Sequence, residues 1–288
     1  PFSGGPGVSA DLLLMGTENG EVFAFDASTG TQLWSATVTS EVLAAPIASD
    51  GVVVVRCIDG RIFGLDEDTG QRLWVYDHSV ALLTLRCNPP LLVRAGFFFI
   101  GYDGGQVVAL KLEDGTLMWE QTLVTTEGRT ELERLSDIDG QLVFIASDLL
   151  VSSYKNRLAS LAADSGRLLW FKDISSATGV SVDRTNLTLS DKEGSVWLLD
   201  RRNGAESWKN DQLSNRGLTR SVFYGSFIVV GDHEGYLHWI NMNNGLFAAR
   251  EKIGGDGFAG PPLVVGNTLY VMTKKGGLTA FQAGAALN

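Results

Sequence analysis

Basic charge is never concentrated in this chain. Among its 23 Lys and Arg residues no run is longer than two, at Arg201-Arg202 and Lys274-Lys275, and the formal net charge is −10. A nucleic-acid binder displaces counterions with a basic face, and adhesion to an anionic membrane surface needs the same. Neither is expected here. Long apolar runs are also missing: no stretch approaches the ~18 residues of a membrane span. No signal peptide is visible, and Pro1-Phe2-Ser3 is not a natural start, so a mature or trimmed chain is expected. Cysteine is scarce. Cys57 and Cys87 fall in neighbouring repeats at different places, which reads as two free small hydrophobes, with a disulfide as the alternative. His233 and His238 flank a hairpin glycine, and His78 lies in another repeat. No G-x-S-x-G, H-E-x-x-H or phosphate-cradling loop occurs, so catalysis is not expected.

What is present is a 16-residue phrase that returns six times. Asn19–Trp34 reads NGEVFAFDASTGTQLW and Asp59–Trp74 reads DGRIFGLDEDTGQRLW. Further copies end at Trp119, Trp170 and Trp208, and a sixth ends at Ala249 without its tryptophan. A seventh, Lys275–Gln282, stops halfway. The phrase ends are 40, 45, 51, 38 and 41 residues apart. A period near 40 built from strand-like phrases predicts a β-propeller with one blade per repeat. Since the repeat runs throughout, residues 1–288 form a single expected domain, and the 34 glycines fall at its turns.

The second repeat shows how a blade is assembled. Ala45–Ala48 starts an inner strand, with Pro46 tolerated at an edge, and Asp50-Gly51 is a tight turn. Val52–Cys57 is a β-branched run without polar alternation, which predicts burial on both faces. Asp59-Gly60 turns again, Arg61–Leu65 is a third strand, Asp68-Thr69-Gly70 turns, and Gln71–Val75 is the outer strand. The tryptophan is large enough to fill the gap to the next blade, with its N–H on a carbonyl. Six repeats supply four strands each; the seventh supplies Leu263–Val265, Thr268–Met272 and Gly277–Phe281. Pro1–Ala10 is too poor in β-formers both to open the first blade and to close the last. The chain is therefore expected to lack an N-terminal segment of about one blade.

Function in a propeller sits on its loops, and two connections break the repeat. Ser79–Pro90 (SVALLTLRCNPP) sets Leu82, Leu83 and Leu85 beside Arg86, and Pro89-Pro90 stiffens the entry to the third blade. The leucines either tuck under the blade or form a protein-binding anchor with the arginine. Thr125–Gly140 (TTEGRTELERLSDIDG) is the longest insertion and the densest in charge. It is either a solvated loop or an electrostatic contact surface. Asp137–Gly140 lacks the spaced ligands of a calcium loop, so no metal is expected. Quinone-dependent dehydrogenases also use tryptophan-marked propellers, but this chain has no vicinal cysteine pair, and no cofactor is expected.

Two strings carry a specific resemblance across essentially the whole chain: Val229-Val230-Gly231-Asp232 followed by Glu234–Asn241 (EGYLHWIN), and Thr130–Asp139 (TELERLSDID). They are similar to the BamB family, the β-propeller lipoproteins of the bacterial machinery that assembles outer-membrane β-barrels. The resemblance implies an eight-bladed propeller, lipid-anchored at the periplasmic face of the outer membrane, with no enzymatic activity. It implies docking on the periplasmic POTRA domains of BamA and a part in delivering unfolded outer-membrane proteins. Leu83 and Leu85 would be apolar anchors and Arg86 the charged fork. Arg134, Asp137 and Asp139 match the second contact string of the family, with the two aspartates orienting Arg86 or pairing with a basic partner. Cys87-Asn88-Pro89-Pro90 departs from the small, polar continuation expected after the arginine. The competing readings are a sensor ectodomain, a holdase for unfolded β-strands, and a cofactor-bearing enzyme.

Overall fold

Within each repeat hairpin turns recur every few residues, and the computed structural model contains no helix among its described residues, 1–9, 11–78, 91–102, 105–123, 142–153, 157–176 and 178–282. The first sheet is β1 (Phe2–Ser9), β2 (Leu12–Thr17), β3 (Glu21–Asp26) and β4 (Gln32–Thr37). The second is β5 (Ile47–Ser49), β6 (Val52–Arg56), β7 (Ile62–Asp66) and β8 (Arg72–Tyr76). The third is β9 (Leu92–Arg94), β10 (Phe97–Tyr102), β11 (Gln106–Lys111) and β12 (Leu117–Thr122). The fourth is β13 (Val143–Ile145), β14 (Asp148–Ser153), β15 (Arg157–Ala162) and β16 (Leu168–Lys172). The fifth is β17 (Val180–Val182), β18 (Asn186–Ser190), β19 (Val196–Asp200) and β20 (Glu206–Asn210). The sixth is β21 (Val222–Tyr224), β22 (Phe227–Gly231), β23 (Tyr236–Asn241) and β24 (Phe247–Lys252), and the seventh is β25 (Leu263–Val265), β26 (Thr268–Met272) and β27 (Leu278–Gln282).

Each sheet is a meander in which sequence neighbours are sheet neighbours, so the last strand of each meander is an edge. These are the blades predicted from the phrase. The strand ends of the second repeat shift by a residue or two from the expectation. Asp66 stays in the ladder opposite Val52, because its N–H is held by the Gln71 carbonyl as the turn closes. Strand β6 is buried along its whole length, Arg56 included. In the seventh repeat the expected strands are found to within a residue.

Phe2–Ser9 forms β1 despite its poor β-propensity. Its glycines are there for contact: a Cβ on Gly7 would lie 1.9 Å from the carbonyl oxygen of Pro46, just ahead of the next sheet. A side chain cannot be fitted at that approach, which is a recognised use of glycine within a strand.

The chain divides into two compact units, residues 1–147 with 162–167, and residues 148–161 with 168–288. In the first, Leu14, Val22, Val53, Val55 and Phe63 belong to one core layer between the first and second sheets. Val54, Ile62, Phe98, Ile100 and Val108 form the next layer between the second and third. In the second unit, Val196, Leu198, Ile228, Val230 and Ile240 join the fifth sheet to the sixth, and Val229, Leu237, Phe258, Leu269 and Val271 continue to the seventh.

One joint recurs in both units. The Trp74 ring is 8% exposed, and its Nε1 donates to the Leu112 carbonyl of the next repeat at 2.9 Å. Gly115 closes over the ring. It has φ +71°, and a Cβ there would meet the Trp74 ring at 2.6 Å, so glycine is required for conformation and for space. Trp34 with Glu67 and Gly70, and Trp119 with Ala163 and Gly166, repeat the arrangement in the first unit; Trp170 with Arg201 and Gly204, and Trp208 with Met242 and Gly245, repeat it in the second.

Candidate functional site

Leu83, Leu85 and Arg86, and Arg134, Asp137 and Asp139, all lie outside the described residues, as does Cys87. The structure describes the places where these segments begin and end. Residues 79–90 run between β8 and β9, and residues 124–141 between β12 and β13. They are the equivalent connections of successive sheets: each leaves an outer strand and enters the next inner one. Buried Leu91 ends the first segment, and buried Leu123 and Leu142 bracket the second.

A packed polar-aromatic cluster stands at the root of the first segment. The His78 ring stacks on the Tyr102 ring with centroids 3.8 Å apart, and Tyr76 follows at 6.3 Å. The buried Arg56 guanidinium lies over the same Tyr102 ring at 5.4 Å, a cation–π contact. Burial lowers the His78 pKa, and the Arg56 charge adds to that, while Glu120 and a hydrogen bond that the ring donates to the Gln106 side chain oppose it. Burial likewise raises the Tyr102 phenol. Cys57, next along from Arg56, is a free buried thiol, pushed up to about 12 by burial and by Asp59. A thiol so protonated is inert as a nucleophile.

The second unit holds a tighter polar cluster that the sequence did not announce. Asp232 closes the β22–β23 hairpin, its carboxylate accepting from the Glu234 and Tyr236 backbone N–H groups at 3.0 and 2.9 Å. The same carboxylate accepts from His238 Nε2 at 2.8 Å and Arg216 Nε at 2.7 Å, and Arg216 also reaches Glu234 at 2.7 Å. Burial opposes the charged form of Asp232, but these hydrogen bonds outweigh it and hold its pKa below the ordinary carboxylate value. Burial lowers the His238 pKa against the pull of Asp232. The ion pair is thus Asp232 with Arg216, and His238 joins it as a neutral donor. His238 and Arg216 also line a cavity of about 360 Å³ with Gln212, Leu213 and the 247–250 stretch of β24.

A signal for this cluster existed in the fifth repeat. Asp191 occupies the position of Asp232, and its carboxylate accepts from Trp197 Nε1 at 2.7 Å across the same six-residue spacing. Thr17 and Thr273 hold the corresponding turns through their hydroxyls. Arg216 lies between sheets, where the repeat has no marker. Among the described residues, no three His, Cys, Asp or Glu side chains gather as metal ligands.

Comparison with known proteins places the chain. A family model described as outer membrane protein assembly factor BamB matches residues 1–210. The BamB of Xanthomonas campestris is 43% identical over 281 residues, covering 98% of this chain and 69% of that protein. The BamB of Escherichia coli K12 is 35% identical over 275 residues, covering 96% and 70%. The crystal structure of BamB from Moraxella catarrhalis superposes with a TM-score of 0.84 at 30% identity, over 98% of this chain and 85% of that one. The quinohemoprotein alcohol dehydrogenase of Comamonas testosteroni matches with a TM-score of 0.71 at 14% identity, over 96% of this chain and 64% of that one, a likeness of fold alone. With the repeated blade, the tryptophan joint and these relatives in agreement, the chain is a β-propeller that belongs to the BamB family of outer membrane protein assembly factors.

Proposed function

We propose that this protein is a non-catalytic scaffold subunit of the machinery that assembles outer-membrane β-barrel proteins. The observation that carries this reading is 43% identity over 98% of the chain to a protein named as an outer membrane protein assembly factor. Its place is the periplasmic face of the outer membrane, held there by an N-terminal lipid in the native protein, and its partner is the POTRA region of BamA. Leu83, Leu85 and Arg86 form one half of the contact, and Arg134, Asp137 and Asp139 the other. What supports that choice is their position. Both groups interrupt an otherwise regular repeat, and both fall on equivalent connections of neighbouring sheets. An apolar anchor beside an arginine is the composition of a binding hot spot, and paired charges around it favour specificity and fast association.

The test is binding of the complete mature protein to the soluble POTRA region of BamA, with Arg86→Glu beside wild type. The expected result is micromolar or tighter binding that the variant loses by ~100-fold or more, roughly 3 kcal/mol for a desolvated hot-spot charge, with the far-ultraviolet circular dichroism unchanged. Binding that survives the substitution moves the site elsewhere on the propeller. No binding at all by the wild type puts the sensor and holdase readings first.

A further inference from the structure

Strand β24 differs from the outer strands of the first four sheets. β4, β8, β12 and β16 each bury a tryptophan at mid-strand, whereas all six residues of β24 are exposed. It ends its sheet, pairing only with β23, so one row of its backbone N–H and C=O groups has no strand partner. An edge of this kind is a template for an added strand. The cavity of about 360 Å³ lies against the face of β24 that Arg250 shares with His238 of β23, and Gln212, Leu213 and Arg216 from the segment after β20 line its other side. Leu246 and Phe247, at the entry to β24, are 58% and 39% exposed.

The charge at this edge runs against that of the molecule. Arg250 and Lys252 sit over the Tyr236 ring at 4.9 and 4.8 Å. Lys209, on β20 just ahead of Gln212, sits over the Trp197 ring at 4.7 Å. The nearby carboxylates Asp232 and Glu234 are already taken by Arg216. Among the described residues no ion pair engages Arg250, Lys252 or Lys209. Three positive groups are therefore positioned by aromatic faces and left without counterions in a chain of net charge −10. Glu251 faces the opposite side of β24, opposite Leu237.

We propose that the free edge of β24 and its adjoining cavity bind an extended acidic peptide segment, which adds as a fifth strand to the sixth sheet. Backbone hydrogen bonds to β24 supply the pairing, as in other strand-addition complexes. Alternate acidic side chains of the peptide meet Arg250, Lys252 and Lys209, and its apolar residues cover Leu246 and Phe247. This proposal does not depend on the POTRA contact, which involves other residues.

The experiment uses the full-length protein and a fluorescein-labelled decapeptide of alternating valine and glutamate, followed by anisotropy at 150 mM salt. Saturable binding is expected. Arg250→Glu combined with Lys252→Glu should weaken it tenfold or more, and Lys209→Glu severalfold; all three side chains are exposed, so the fold is retained. The same peptide N-methylated at alternate residues should bind at least tenfold more weakly, and a valine–lysine peptide should not bind. Four outcomes overturn the proposal: no saturable binding; binding unchanged in the double variant; equal binding of the N-methylated peptide, which leaves charge attraction alone; or loss of self-association or of phosphatidylglycerol-vesicle binding in the variant with the peptide inert.

Discussion

The second and sixth sheets solve one packing problem in opposite ways. In the second, Trp74 on the outer strand faces Gly64 on the third strand, and a Cβ on Gly64 would lie 2.1 Å from the indole. In the sixth the partners are exchanged: Ala249 is on the outer strand and Trp239 on the third. Trp239 then packs edge-on against Phe281 of the seventh sheet, ring centroids 5.3 Å apart. Elsewhere the phrase keeps the first arrangement, with Ala24, Ala109 and Ser160 opposite Trp34, Trp119 and Trp170. Where Leu198 faces Trp208, the indole is left only half-buried. What is maintained is the volume of the cross-strand pair, one large and one small, more than the identity of either position. The tryptophan missing from the sixth phrase has a counterpart on the facing strand.

The largest expected effect is at Trp74. Trp74→Ala removes a buried ring and its hydrogen bond, and should lower stability by about 3–5 kcal/mol, read as a shift of the urea midpoint. Ala249→Gly, at the matching place in the sixth sheet, should cost far less. Next comes Asp232→Asn. Removing the charge from a carboxylate that holds Arg216 and His238 in a buried cluster should cost about 3 kcal/mol, measured the same way. The second sheet has no such cluster in its hairpin, where Cys57 stands instead, so Cys57→Ser there is the weaker perturbation.

A double-mutant cycle sharpens the exchange itself. Trp239→Ala leaves a void and Ala249→Trp overfills the same pair, each destabilising. Together they rebuild the pattern of the second sheet, so the double variant should recover about 1–3 kcal/mol relative to additivity. Zero coupling in the cycle refutes the volume-pair account. The smallest effect is in pH. His238 has a folded pKa below its ordinary value, so the folded state binds this proton less readily than the unfolded chain. The stabilisation is complete above pH ~6.5 and is lost as pH falls through that value toward the folded pKa. His238→Gln should flatten the fall in melting temperature between pH 7.5 and 5.5; the remaining slope comes from His78, lowered in the same direction.

The blades were legible in the sequence because their determinants are local. Turn residues and β-branched runs sit within a few positions of the hydrogen bonds they set, as with Asp26, whose carboxylate, held down to about 2, accepts from Ser28 and Thr29. The tryptophan joint was legible because its chemistry, a large ring with one donor, has few alternatives. The exchange of Trp239 and Ala249 was not, since it depends on cross-strand register, and reading phrase ends registers only a loss. The Asp232 cluster was hidden for a related reason. His238 and Asp232 are joined through a hairpin, and Arg216 arrives from an irregular segment. The two loop groups centred on Arg86 and Arg134 were visible only as departures from the repeat and through family resemblance.

The tryptophan joint also bears on how such a chain can vary. Each ring belongs to one repeat, while the carbonyl and glycine that complete its seat belong to the next. The five seats are alike, so any of these repeats presents a plug that the following socket accepts. Whole-period gain or loss of a repeat leaves every seat filled, whereas a half-period change strands a ring without its glycine. Interchangeable seats cannot encode position, however. The address of each blade has to be written in its exceptions: the two long connections, and the sixth sheet with its reversed pair.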